Sequence, residues 1–422
     1  MQEMFFHYIW RLQYFEHQHL FTVKGESVSV IYPGIYNTNA GPDFFNAKIL
    51  IGEMEWHGHV EIHVQASDWY KHQHQEDEAY DNVVLHVVWE ADRSVYRMEG
   101  SEIATVELKG KIPLSLFQKY ERMQQDQAIP CEYLCQEVPE ILWTSMKERV
   151  LIERLEEKAN QIHLLKEYCH GDWEQVALWV LGKSLGAPLN QEPFVELSKR
   201  VPFQAVKKLK ENEMQLEALY FGQSGLLLPC QEQAYAQKLI REHQYLFHKY
   251  KLSPALSPVI WQQGRMRTPS LPTVRIAQLI GLITQKDHLF QECMLSSKFQ
   301  DIKALLDVEV PSYWQTHYHF GKVRKKGTGK ISVTMKARIA ANGVVPLLVA
   351  YGQYQGNERC MEQGIQLLES LPPEDNKYIR LWKEMGLKVE NAFDVQAYLQ
   401  LYKKYCAEKQ CLRCVVGCAI LK

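Results

Sequence analysis

Long apolar runs are missing from this chain of 422 residues. No stretch of about 18 apolar residues occurs, so no segment is expected to span a membrane. The N-terminus MQEMFFHYIW places Glu3 early and has no basic region ahead of a long apolar stretch, so a signal peptide is not expected. The cytoplasm is then the expected compartment, and thiols stay reduced there. That excludes a disulfide framework. The ten cysteines are expected to be free, metal-bound or redox-active. Low-complexity segments and a repeat period are absent. So is a strong overall charge, with 48 basic and 50 acidic side chains. That balance hides unequal parts. Residues 1–110 carry 7 basic and 17 acidic side chains, whereas residues 111–422 carry 41 and 33. Nine of the 16 histidines lie in the first 90 residues. Such asymmetry points to separate jobs and makes a polyanionic partner a candidate.

At about 150 residues per domain, two or three domains are expected. The pattern divides the chain into residues 1–112, 113–310 and 311–422. Met4, Phe5, Tyr8, Ile9, Leu12 and Phe15 recur near helical spacing and predict an amphipathic helix. Val28, Val30 and Tyr32 alternate up to Pro33-Gly34, which predicts a strand. Asn37 to Pro42 is a turn-rich loop. Strands are predicted over 43–51 and 55–64, with a turn at Gly52. Ser67 can cap a helix over 68–81, and VVLHVVW at 83–89 reads as a buried strand. Ala104 to Leu108 adds an edge. The first segment is thus an α/β domain of order helix, three-strand meander, helix, strand. Residues 113–310 read as mostly α-helical. Val150, Leu151, Leu155 and Ala159, then Trp173, Val176, Ala177 and Val180, follow the helix period. Residues 311–422 join a basic segment to a helical tail with a cysteine cluster.

The densest chemistry lies between Gly41 and His86. Strand side chains alternate faces, so Glu61 and His63 project together while Val60, Ile62 and Val64 point the other way. If the two strands pair through Gly52, Asp43 and Glu61 converge at one end of the sheet. Two convergent carboxylates bind a hard cation, Mg²⁺ or Mn²⁺. Such a cation polarises a phosphoryl oxygen and lowers the pKa of a bound water. The competing reading is an Asp that caps a turn and a Glu–His pair on a solvated face. His72 and His74 do not share a helix face, so a joint chelate by them requires loop geometry. Otherwise they belong to a polar helix surface with Asp68 and Asp77. His86, with apolar flanks, is a satisfied core group or a partner that orients a metal ligand. Asn39 and Asn46 can orient a phosphate, and turn chemistry explains Asn39 equally well. Glu3 heads the first helix, where an acid is favourable without any function.

Pro42-Asp43 followed by Glu61-Ile62-His63 resembles the PD-(D/E)XK nuclease superfamily. There a helix, a three-stranded meander, a helix and a further strand carry the aspartate on the second strand and (D/E)-x-K on the third. The resemblance covers residues 1–92. It implies that Asp43 and Glu61 ligate the metal, with the Ile62 carbonyl as a further ligand, and that His63 orients or deprotonates the attacking water. His63 stands where that superfamily has lysine. A neutral imidazole cannot stabilise phosphate charge as an ammonium does. His63 is then a water-activating group, a metal ligand favouring Mn²⁺ or a softer ion, or the mark of a lost activity. Over its whole length the chain resembles an uncharacterised bacterial family, domain of unknown function 2851. The strings that carry this are AGPDFFNAKI at 40–49, W-x-G-x-VEIH at 56–63 and SDWYKHQHQEDEAYDNVVLHVVW at 67–89. That likeness implies no activity.

Residues 311–357 contain seven Lys or Arg and no acid. Arg324, Lys325, Lys326 and Lys330, around Gly327 and Gly329, are the candidate nucleic-acid contacts, with Trp314, Tyr318 and Phe320 as stacking candidates. A solvated loop is the plain alternative, and docking of the basic part on the acidic part is another. Cys406, Cys411, Cys414 and Cys418 form C-x4-C-x2-C-x3-C. Ten cysteines placed evenly would put about 0.3 in that window. Zinc or an iron–sulfur cluster is the expected occupant, with reduced helix thiols the alternative. Cys131 or Cys135 can substitute for one of the four.

The function expected from the sequence is a divalent-metal-dependent nuclease with Asp43, Glu61 and His63 as its catalytic residues. Asp43 and Glu61 would hold Mg²⁺ or Mn²⁺, and His63, His72, His74 and His86 are further candidate ligands. The expected partner is nucleic acid, DNA before RNA, and no membrane. One alternative is a non-catalytic nucleic-acid-binding or scaffold protein with a degenerate nuclease fold. The other is a His-rich metallohydrolase acting on a small molecule. Oligomeric state is not legible.

Overall fold

Alternating side chains between Val28 and Glu107 build one mixed sheet in the computed structural model, which describes residues 3–125 and 127–422. Its strands are β1 (Val28–Tyr32), β2 (Ile35–Tyr36), β3 (Phe44–Ile51), β4 (Met54–Gln65), β5 (Val83–Glu90) and β6 (Thr105–Glu107). The order is β1-β3-β4-β5-β6, with β2 paired to β3. The β1/β3 and β3/β4 pairs are antiparallel, and β4/β5 and β5/β6 are parallel. Ile51 pairs with Met54, so β3 and β4 join through a two-residue turn in which Gly52 takes φ +60°. A positive φ there suits the twist of a tight hairpin. On β4, a Cβ at Gly58 would sit 2.4 Å from Val84 Cγ1, so the close approach of β5 requires glycine.

Helix α1 (Glu3–Leu12) buries Phe5, Phe6, Tyr8, Ile9 and Trp10 and packs against β4. The parallel return from β4 to β5 departs from the helix expected over 68–81. Only α2 (Asp68–Lys71) is α-helical, followed by short 3₁₀ turns at His74–Glu76 and Glu78–Tyr80. Gln73 breaks the helix with φ +61°, and Asp77 starts the last turn by accepting from the Ala79 N–H at 2.9 Å. Ala66, Trp69, Tyr80, Val83, Val88, Val95 and Ile103 form the apolar cluster beneath this crossover.

Two compact units divide the chain: Met1–Met146 with Lys403–Lys422, and Lys147–Tyr402. Their boundary does not coincide with the divisions at 112 and 310. The first unit reclaims the tail through long-range bonds. Lys119 Nζ donates to the Ile420 carbonyl at 2.8 Å, Lys409 Nζ to the Gln124 carbonyl at 2.8 Å, and Tyr8 Oη to the Cys418 carbonyl at 3.3 Å.

The second unit is mostly helical, with a small hairpin of β7 (His317–His319) and β8 (Lys322–Val323). Val150, Leu151, Leu155, Ala159, Val176, Ala177 and Val180 are buried, as their helical spacing requires. The helical run Val333–Gln355 is long and apolar enough to cross a membrane by length and composition, but 78% of its apolar window is buried inside the protein. It contains Pro346, and a π-turn at Ala340–Val344 precedes that residue. A π-bulge is one of the usual ways a helix absorbs such a break.

Candidate metal centre

Pairing of Phe44 with Val60 sets Asp43, just ahead of β3, beside Glu61 on β4. Each carboxylate grips the other's strand. The Asp43 N–H donates to Glu61 Oε2 at 3.1 Å, and the Ile62 N–H donates to Asp43 Oδ2 at 2.9 Å. Helix α1 adds His7, whose Nε2 lies 3.2 Å from Asp43 Oδ2 and 3.7 Å from Glu3 Oε1. Glu61 and His63 are both buried, and they project together as strand alternation requires.

Three other imidazoles, those of His72, His74 and His86, pack around His63. Its Nδ1 lies 2.8 Å from His86 Nε2, and its Nε2 lies 3.1 Å from His72 Nδ1 and 3.6 Å from Glu61 Oε1. His74 Nε2 lies 3.3 Å from Glu61 Oε1. One ligand atom each from His63, His72 and His74 fall within 4.8 Å of one another. The broken crossover makes this possible, because His72 caps α2 and His74 opens the next turn beyond Gln73. Tyr80 stacks on His74 with ring centroids 3.8 Å apart, and Trp69 packs against His86 at 5.6 Å. His72 is exposed while His63 is buried, so the cluster opens to solvent on one side.

Burial dominates the electrostatics. It pushes Glu61 up to about 9, with the nearby Asp43 charge adding to the effect. Burial, then the charges His86, His74 and His72 would carry, hold His63 well below the ordinary histidine range. Burial likewise lowers His74 and takes His86 down to about 3. Glu3 is raised by burial. His7 goes against its own burial: the hydrogen bond and charge of Asp43, with Glu3 and Glu61, raise it. Neutral imidazoles are the state a divalent cation requires, and a cation bound there would supply the counter-charge that lets Glu61 ionise.

The donor set fits a transition metal. With metal–nitrogen bonds of about 2.1 Å, adjacent ligands stand roughly 3.0–3.4 Å apart. The contacts of 3.1, 3.3 and 3.6 Å among Glu61, His63, His72 and His74 are of that size. Three imidazoles favour Zn²⁺, Fe²⁺ or Mn²⁺ over Mg²⁺. Asp43 already accepts from Ile62 N–H through Oδ2, so it anchors the cluster's inner side.

Other predicted residues lie elsewhere. Asn39 belongs to a turn organised by Asn37, whose Nδ2 donates to the Asn39 carbonyl at 3.0 Å and the Pro42 carbonyl at 3.0 Å. Asn46 has φ +56° at the β3 bulge, and its N–H meets His59 Nδ1 at 3.3 Å. Asp68 bonds Lys71 Nζ at 2.7 Å. His7 was not singled out from the sequence; its place four residues after Glu3, on the polar side of α1, was the available signal. In the second unit, Lys330 pairs with Glu309 at 2.5 Å, Lys336 with Asp307 at 3.3 Å and Arg338 with Glu374 at 2.6 Å. Asp307 and Glu309 lie just ahead of the acid-free stretch. Arg324 Nε turns inward to the carbonyls of Trp314 and His317, at 3.2 and 2.9 Å. Lys322, Lys325 and Lys326 are exposed. A cleft of about 1260 Å³ in the first unit is lined by residues such as Trp89, Lys111 and Phe117, and not by the imidazoles.

A family model described as "Protein of unknown function (DUF2851)" matches residues 3–377. Comparison with curated proteins and with solved structures gives no match.

Proposed function

We propose, on the premise that this chain belongs to the DUF2851 family, that its first unit is a divalent-metal-dependent hydrolase of phosphodiester bonds, a nuclease acting on DNA. One observation carries this reading: a buried carboxyl group, Glu61, meets two of three convergent imidazoles, His63 and His74, on a strand whose neighbour is headed by Asp43. The element order supports it. An N-terminal helix, antiparallel strands and a parallel strand follow in the order the PD-(D/E)XK resemblance implies, with Asp43 at the head of one long strand and Glu61-Ile62-His63 on the next. The implied helix between β4 and β5 is reduced to α2 and two 3₁₀ turns.

Glu61, His63, His72 and His74 would hold the cation. Bound there, it supplies Lewis acidity toward a phosphoryl oxygen and toward water. Asp43 locks the ends of β3 and β4 through the Ile62 N–H and fixes His7. His7, raised by Asp43, is the nearby group able to present a proton to a leaving oxygen. His86 fixes the ring of His63 from behind.

The test is cleavage of single- and double-stranded DNA, RNA and a small phosphodiester by the purified chain with Mn²⁺, Fe²⁺, Zn²⁺ or Mg²⁺. Metal-dependent cutting of DNA that disappears in Glu61→Gln and His74→Ala supports the nuclease. Equal cutting by Glu61→Gln sinks it. A second reading, a metallohydrolase acting on a small molecule, is favoured by the imidazole-rich donor set. Turnover of the small diester alone would select it. Metal binding without turnover of any substrate would select a non-catalytic scaffold.

A further inference from the structure

Six of the ten cysteines belong to the first unit, and four of them gather from distant parts of its chain. Cys131 follows α3 (Leu114–Met123), whereas Cys406, Cys411 and Cys414 lie in the returning tail. Cys131 interacts electrostatically with Cys414, Cys135 and Cys411, and Cys406 with Cys131, Cys414 and Cys411. None of the four is in a disulfide, and none exposes more than 9% of its surface. Cys131 is thus the residue that completes the tail's set.

The remaining two adjoin the set, Cys135 beside Cys131 and Cys418 beside Cys411, but their sulphurs donate elsewhere. Cys135 Sγ donates to the Glu132 carbonyl at 3.5 Å, and Cys418 Sγ to the Leu412 carbonyl at 3.2 Å. The backbone around the four is tightly wrapped. The 3₁₀ turn Cys135–Glu137 and the turn Cys411–Arg413 both pack on the terminal helix Val415–Ile420. A Cβ at Gly417 would sit 2.3 Å from the Cys411 carbonyl oxygen, so only glycine lets the helix press onto that turn. Lys409 ties the loop to Gln124.

Burial pushes all of Cys131, Cys406 and Cys411 upward as thiols. Four buried sulphurs in one place are natural ligands of a soft metal, which neutralises the thiolates it binds. Lys403, Lys404, Lys409 and Arg413 flank the set, with Glu408 the one acid between Lys403 and Cys414. That charge suits an anionic thiolate centre.

Spacing selects the kind of metal. A single zinc with Zn–S bonds of about 2.3 Å needs sulphurs roughly 3.8 Å apart. Among the described residues, one ligand atom each from three imidazoles lies within 4.8 Å of the others, and no such trio of thiols is found. The irons and sulfides of a cluster hold its thiolates further apart than one ion does.

We infer that Cys131, Cys406, Cys411 and Cys414 ligate an iron–sulfur cluster that fastens the tail to the first unit, with Cys135 and Cys418 outside the ligand set. The site is independent of the Glu61 cluster and stands whether or not that cluster hydrolyses anything.

The full chain, expressed with iron and purified without oxygen, is expected to be coloured. It should contain iron and acid-labile sulfide in equal amounts and bleach on reduction with dithionite. Labile sulfide separates this iron from any bound by imidazoles. Cys131→Ser and Cys411→Ser should lose colour and sulfide, while Cys135→Ser and Cys418→Ser keep both. A colourless chain that carries zinc overturns the cluster. Sulfide retained in Cys131→Ser but lost in Cys418→Ser overturns the ligand set. Should Cys131→Ser fail to fold, the iron-edge X-ray absorption of the unaltered chain decides. An all-sulfur shell supports the assignment, and nitrogen or oxygen ligands overturn it.

Discussion

His63 Nδ1 and His86 Nε2 lie 2.8 Å apart in the core, so one of the two nitrogens must carry the hydrogen. For His63 to offer its Nε2 lone pair to a cation, that hydrogen must sit on its own Nδ1. His86 then accepts at Nε2 and carries its hydrogen on Nδ1, a buried atom with no partner among the described residues. Without the cation the opposite arrangement is cheaper, because only a lone pair is left unpartnered. Metal binding therefore shifts a proton between the two rings. Replacing His86 with Phe removes the group that fixes the His63 ring. The expected result is a loss of about 10–100-fold in metal affinity, typical for an orienting partner. Isothermal titration with Mn²⁺ and Zn²⁺ measures it, and an unchanged affinity would show that His86 is a core filler.

Asp43 combines a structural bond with a charge, and two substitutions separate them. Asp43→Ala strands the Ile62 N–H, which now donates at 2.9 Å. An unsatisfied buried donor costs about 1–3 kcal/mol, so thermal stability should fall along with any cleavage. Asp43→Asn keeps an acceptor for that N–H but removes the charge that holds His7. It should leave the thermal midpoint nearly unchanged while activity falls. Parallel melting and cleavage assays check both. A stable and fully active Asp43→Ala would remove Asp43 from the site.

The Glu61–His63 pair was legible because strand periodicity is two, and a two-residue spacing on a buried strand fixes a shared face. Asp43 was legible because a hairpin at Gly52 lays its strand along β4, although the bulge between Phe44 and Ala47 sets the final register. His72 and His74 were candidate ligands by residue type, but their convergence was not legible. Ser67 and the residues after it read as a continuous helix, on which those two histidines face apart. The break depends on a left-handed Gln73, and a non-glycine residue in that conformation leaves no pattern in the sequence. The tail's return was equally hidden. Tyr8 and Cys418 are 410 residues apart, and no local periodicity reports such a contact. Cysteine density marked the tail, but spacing alone could not separate Cys131 from Cys418 as the fourth ligand.

The basic stretch divides into groups that can meet a phosphate and groups that hold the fold. Lys325 and Lys326 are exposed, so the double change to Gln should weaken DNA binding evenly across sequences. Each lost phosphate contact lowers the salt slope by about 0.9. Arg324→Ala is expected to act differently. It removes the bonds to the Trp314 and His317 carbonyls and should lower the melting temperature of the second unit. Binding measured over a range of salt, beside thermal melts, distinguishes the two. An unchanged salt slope in the double variant would assign this loop to plain solvation.

Glu217 gives the second unit a pH dependence of its own. Its side chain is 1% exposed and accepts from Tyr235 Oη at 2.9 Å and Trp314 Nε1 at 2.6 Å. Burial outweighs those bonds and pushes the carboxyl up to about 7 from the ordinary 4.5. The folded state thus holds a proton that the unfolded chain has released. Stability falls with rising pH wherever the folded state binds more protons. This contribution is complete below about 4.5 and is lost as pH rises to about 7, on the order of 3 kcal/mol in all. Glu217→Gln mimics the protonated acid. Its oxygen can accept from Trp314, and its amide can donate to Tyr235. The variant should match the unaltered chain near pH 5 and exceed it near pH 8, as its stability no longer depends on that proton. Denaturant unfolding across this range, followed by circular dichroism, is the measurement. Parallel pH curves for the two proteins would mean that Glu217 is already ionised throughout, its charge carried by the Tyr235 and Trp314 bonds.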